Sequence, residues 1–96
     1  MTKDQLVKEI AKKRGIDKSQ VETIVESFLR TVQEKIMQRE PVTLRRFGSF
    51  LLKERAAKKA RNIGKNTEML LPAHFIPKFK PSKEFSKKIK QIKTGL

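Results

Sequence analysis

The stretch from Lys53 to Lys65 constrains this chain more than any other, because it cannot bury itself. Six cations stand there with Glu54, and Ala56, Ala57 and Ala60 are its main apolar residues, so neither a helical stripe nor an inward strand face can be drawn through it. Gly64 and Asn66, within 62–67, carry turn chemistry, after which Glu68, Met69, Leu70 and Leu71 lead back toward Phe75, Ile76 and Phe79. Two limbs joined by such a turn form a long protruding β-ribbon. From Lys53 to Ile63 one limb spans roughly 35 Å at about 3.3 Å per residue.

The rest of the chain has what the ribbon lacks. Thr2 and Gln5 form a capping-box pair, Leu6, Val7, Ile10 and Ala11 recur at helical spacing, and Gly15 follows Lys12, Lys13 and Arg14 as a left-handed stop. Asp17 and Gln20 repeat the capping signature before a broad apolar stripe through Val21, Ile24, Val25, Phe28, Leu29, Val32 and Ile36, which is expected to run until Pro41 forbids continuation. Phe28 and Met37 read as packing residues. Val42 and Leu44 then alternate with Thr43 and Arg45, and Arg46-Phe47-Gly48-Ser49-Phe50 follows, with Gly48 expected to supply the positive φ of a hairpin turn. Pro81-Ser82-Lys83 opens a last helix to about Ile92, with Phe85, Ile89 and Ile92 inward and Lys83, Lys87, Lys88, Lys90 and Lys93 outward.

Charge follows the same division. The 96 residues carry 24 Lys and Arg against 10 Asp and Glu, a net +14 that folding does not require and self-repulsion opposes. Up to Leu52 there are 11 bases and 7 acids, a net +4; from Lys53 there are 13 and 3, a net +10. A polyanionic partner is implied, contacted by the second half. The chain has no stretch approaching the roughly 18 apolar residues of a membrane span and no signal-peptide core, so no membrane partner is expected. The absence of cysteine excludes disulfides and thiolate metal sites and fits a cytoplasmic setting. The single histidine, His74, has no Cys or clustered carboxylate beside it, Ser27, Ser49, Ser82 and Ser86 lack a visible base, and no phosphate-cradling glycine loop occurs. No catalysis, metal, cofactor or small-molecule substrate is therefore expected.

The block Arg46-Phe47-Gly48-Ser49-Phe50, with Arg55, Arg61-Asn62 and Pro77-Lys78-Phe79 in order behind it, resembles the bacterial histone-like protein HU and integration host factor, over nearly the whole chain. The resemblance implies one α+β domain over residues 1–96: two N-terminal helices in a dimerisation part (about 1–40), a three-stranded antiparallel sheet with a long β-arm (about 41–80) and a short C-terminal helix (about 81–92). It implies an intertwined homodimer, or a heterodimer with a related subunit, whose paired arms enter the minor groove, bend duplex DNA with little sequence preference and condense the bacterial nucleoid. Phe28, a core residue of the main helix, and Phe47, Phe50 and Phe79, which match family aromatics, are the expected dimer core. Arg55, Lys58, Arg61 and Asn62 fall on arm positions, with Lys53, Lys59 and Lys65 alongside, and Lys3, Arg46, Lys80, Lys83 and Lys87 are candidates for holding flanking DNA. One position departs: Ile63 stands where the family carries a tip proline. Its side chain is apolar enough to enter a base step but lacks proline's fixed φ.

Two arguments outside the resemblance agree with it. An arm of some twenty residues leaves only about 75 for a core, marginal for a lone chain. A basic RNA-binding or ribosome-associated module would carry equal charge, yet RNA readers stack bases on exposed aromatics, whereas the six Phe sit at apolar-periodic positions or strand ends and Tyr and Trp are absent. Lys8, Lys12 and Lys35 read as solvated surface.

Overall fold

The computed structural model describes residues 1–62, 64 and 67–94. Helix α1 (Lys3–Arg14) starts at the expected capping box: the Gln5 backbone N–H donates to Thr2 Oγ1 at 3.2 Å, and the Thr2 N–H donates to Gln5 Oε1 at 2.9 Å. Gly15 ends it at φ 64°, with its N–H on the Ala11 carbonyl. Helix α2 (Lys18–Met37) begins differently from expectation. The Asp17 carboxylate caps no backbone amide and instead accepts from Ser19 Oγ at 2.7 Å. Lys18 reaches Asp4 at 3.0 Å and ties the two helices. That hydrogen bond, with a second from Lys8, holds the Asp4 carboxyl below its ordinary range.

Helix α2 also stops before Pro41. After Gln38 the chain turns through Arg39 at φ 62°, whose N–H donates to Ile36 O, while Glu40 N–H donates to Lys35 O, both at 2.9 Å. This is a Schellman closure with arginine where glycine is usual. Pro41 still acts, by disfavouring helical backbone at Glu40.

Strands β1 (Val42–Leu44), β2 (Gly48–Arg55) and β5 (His74–Pro81) form an antiparallel sheet in the order β1-β2-β5. Gly48 has the positive φ expected of it (159°), and the β1–β2 turn adds a left-handed residue that the sequence did not suggest, Arg46 at 67°. Gly48 is needed for another reason: it pairs with Pro81 in β5, and a Cβ there would meet Lys80 O and the Phe79 ring at 2.6 Å.

Beyond Arg55 the ribbon continues as a second ladder of β3 (Lys58–Asn62) and β4 (Thr67–Leu71). The expected limb is thus interrupted. Arg55 faces His74 and Lys58 faces Leu71, so the unpaired residues, Ala56–Ala57 and Pro72–Ala73, match in number and the register passes through unchanged. Pro72 lacks an N–H and cannot donate to a ladder. Helix α3 (Lys83–Lys90) follows, with Ser82 Oγ accepting from Phe85 N–H at 3.1 Å; it ends two residues short of the expected Ile92.

Little is buried within one chain. Among the described residues only Val7 and Val21 form a buried apolar core, while Ile24 (66%), Phe28 (45%), Phe47 (45%) and Ile92 (67%) remain exposed. The Cα radius of gyration is 19.1 Å, against about 12–13 Å for a compact chain of this length. Both facts describe half of something: a projecting ribbon on a body whose apolar faces are uncovered.

Candidate nucleic-acid interface

Strand alternation sorts the ribbon. Because one register spans both ladders, Lys53, Arg55, Lys59 and Arg61 fall on one face by strand parity, together with His74, Lys78 and Lys80 of β5. Leu51, Ile76 and Leu70 share that face, while on the opposite face stand Phe50, Leu52, Glu54 and Lys58, with Phe79, Pro77, Phe75, Leu71 and Met69 across from them or along the same strand. The ribbon's cations are thus concentrated on one face, and most of its large apolar side chains on the other. Its cationic face carries one acid, Glu68 opposite Arg61, and Lys53, Arg55, Lys59, Lys78 and Lys80 are all exposed.

A second cationic cluster surrounds the β1–β2 turn. Arg45, Arg46, Lys80 and Lys83 line one cleft with Gly48 and Ser82. The N-terminus of α3 adjoins it, so backbone amides and four cations share a small concave surface suited to a phosphate. Lys87 lies one turn beyond Lys83 on the same helix and is exposed.

Lys3 belongs to neither cluster. Its Nζ donates to a Glu26 carboxylate oxygen at 3.0 Å in a separate cleft that includes Arg30, and that hydrogen bond raises its pKa. Binding a phosphate there requires Lys3 to exchange one anion for another. Ile63 and Lys65 lie outside the described residues, and Arg61 and Asn62 are placed by their strand positions alone.

Phe47, Phe50 and Phe79 are brought together, with ring centroids 5.2 Å apart for Phe47–Phe79 and 5.0 Å for Phe50–Phe79. Phe85 of α3 joins them, 5.3 Å from Phe47. Phe28 stands apart on α2. Sequence reasoning left Arg45, Lys78 and Phe85 out of these groups. The i, i+2 spacing of Lys78 and Lys80 in one strand was the available signal for the second; the other two depend on partners distant in sequence.

Among the described residues no helix is long and apolar enough to cross a membrane, and no group of three or more His, Asp or Glu side chains could hold a metal ion. His74 Nδ1 lies 3.0 Å from the Pro72 carbonyl.

Residues 1–90 match the model of the family described as bacterial DNA-binding protein. The chain is 37% identical over 90 residues to the DNA-binding protein HU of Thermotoga maritima, covering 94% of this chain and all of that one. It is 37% identical over 90 residues to integration host factor subunit beta of Marinobacter nauticus, covering 93% and 92%. Among solved structures, the Anabaena HU–DNA cocrystal structure superposes with a TM-score of 0.90 at 35% identity, over 96% of this chain and all of that one.

Proposed function

The chain belongs to the family of bacterial DNA-binding proteins that includes HU and integration host factor, and we propose that it works as a dimer whose paired arms grip duplex DNA and bend it. The observation that carries this reading is the concentration of the ribbon's cations on one face of two ladders that share a register, with most of its large apolar side chains on the other. A face of that kind neutralises phosphates along a groove without reading bases, since the minor groove presents a degenerate code. The likeness to a chain solved with DNA supports the same partner.

Burial supports the dimer: the two apolar side chains buried among the described residues cannot hold a chain of this length, whereas a second copy or a related subunit would cover Phe28 and the edge of the Phe47–Phe50–Phe79 cluster. Residues 1–96 then act as one domain. Lys53, Arg55, Lys58, Lys59, Arg61, Asn62 and Lys65 serve as arm contacts. Arg45, Arg46, Lys80, Lys83 and Lys87 hold DNA that wraps back against the body, and Lys3 does so after leaving Glu26. The protein is an architectural component of the nucleoid rather than an enzyme.

Ile63 is the wedge in this reading. An apolar side chain entering a base step trades unstacking for a bend that lets the duplex meet more protein. The test is end-to-end fluorescence transfer on a duplex of about three helical turns, with double-stranded RNA as competitor. Ile63→Ala is expected to bind within roughly tenfold of the parent while bending much less, since unstacking one step involves only a few kcal/mol. An unchanged bend removes the wedge from Ile63, and RNA that competes as well as DNA overturns the choice of partner.

A further inference from the structure

Arg39 occupies an unfavourable place for an arginine. It sits in the left-handed region at φ 62°, at the Schellman position where glycine is strain-free. Nothing in closing helix α2 requires a side chain there. The side chain reaches across the fold instead: its guanidinium carbon lies 4.9 Å from the centroid of the Phe75 ring, on the second residue of β5.

The surroundings leave that contact isolated. Among the described residues Arg39 forms no ion pair, and the neighbouring Glu40 is engaged by Lys35 at 3.7 Å. Arg39 and Phe75 line a cleft of about 270 Å³ with Ile36, Pro41, Leu51 and Leu52, so the end of α2 and the base of the ribbon are not packed solidly there. Phe75 faces Glu54, one pair before the unpaired Ala56–Ala57 and Pro72–Ala73 interruption where the ribbon lacks a ladder.

From this juxtaposition we infer that Arg39 is a positioning residue, whose stacking on Phe75 pins the base of the arm to the end of α2 and sets the direction in which the arm leaves the body. Strained backbone beside a specific long-range contact points to a role for that contact other than stability. The clamp lies on the body side of the interruption, where a small change of angle becomes a large displacement at the tip. The consequence for DNA rests on the arm-gripping reading above; the clamp itself does not.

The decisive variant is Arg39→Gly. It relieves the left-handed strain and deletes the clamp, so a capping role and a clamping role predict opposite results. The clamp predicts thermal melting no lower than the parent, lower ¹⁵N{¹H} nuclear Overhauser effects at the Met69–Leu71 amides of the DNA-free dimer, and duplex affinity weakened by about two- to fivefold, the factor equivalent to an exposed cation–π contact. Phe75→Leu should repeat the loss, Phe75→Trp should preserve arm order, and Arg39→Lys should restore it in part. Unchanged amide order and affinity in Arg39→Gly overturn the inference. If the parent fails to bend duplex DNA, the functional reading falls, while the amide data still decide the clamp.

Discussion

Replacing Arg55, Lys59 and Arg61 together by alanine is expected to abolish duplex binding at moderate salt. These three share the cationic face with Lys53, and a dimer carries them twice, so six phosphate contacts disappear at once. Each neutralised phosphate contributes about −0.9 to the slope of log affinity against log salt, so the slope should shrink by about 5 and affinity at 0.1 M salt should fall on the order of 10³-fold or more. Folding should not suffer, because removing cations from a chain of net +14 relieves self-repulsion. Lys12→Ala, on the exposed outer side of α1, is the control, with Arg61→Ala alone as the intermediate case. Titrations by fluorescence anisotropy at several salt concentrations give both quantities. Equal losses from the triple variant and from Lys12→Ala would sink the arm assignment, and a large loss with an unchanged slope would mean that these residues act through something other than phosphates.

Why this face was only half legible in the sequence is instructive. Read alone, the run from Lys53 to Lys65 has no hydrophobic periodicity, and its charge announces an arm. The sorting of its faces belongs to the pair of strands: Met69, Leu71 and Phe75 supply the more apolar side, and they do so only in the register that joins Lys58 to Leu71 and Glu54 to Phe75. Register is a property of two segments, so neither one displays it. The same logic separates the other expectations. The capping box at Thr2 and the stop at Gly15 involve residues within one turn of each other, and both appear as expected. At Asp17 the carboxylate bonds the Ser19 hydroxyl rather than a first-turn amide, a choice that short-range patterns leave open. The early end of α2 reflects a left-handed arginine, which propensity argues against and which becomes intelligible beside Phe75.

Gly48 shows the limit most sharply, and it carries the second large effect. In the sequence it looks like a turn glycine; in the fold it is buried, and the atoms a side chain would strike belong to Phe79 and Lys80, more than thirty positions away. A Cβ would stand 2.6 Å from Lys80 O, which is backbone of the paired strand, and 2.6 Å from Phe79 Cζ. Neither can yield cheaply. The Phe79 ring is held against Phe47 and Phe50, and Phe85 closes the group from α3, where Ser82 N–H is tied to Phe47 O at 2.9 Å. Gly48→Ala should therefore destabilise each chain by about 2–3 kcal/mol, as overpacking in a close-packed site does. The melting temperature should drop by roughly 10–20 °C, at about 4–8 °C per kcal/mol for a domain of this size. Gly15→Ala gives the calibration. Its φ is 64° but no atom lies within 4 Å of the added Cβ, so only the backbone preference is lost, about 1 kcal/mol. Thermal melts of the two variants at equal chain concentration separate the explanations: similar melting temperatures would mean that Gly48 is a backbone glycine after all. A much lower one for Gly48→Ala, with DNA affinity falling only as far as folded dimer is lost, locates its role in the aromatic cluster that supports the arms.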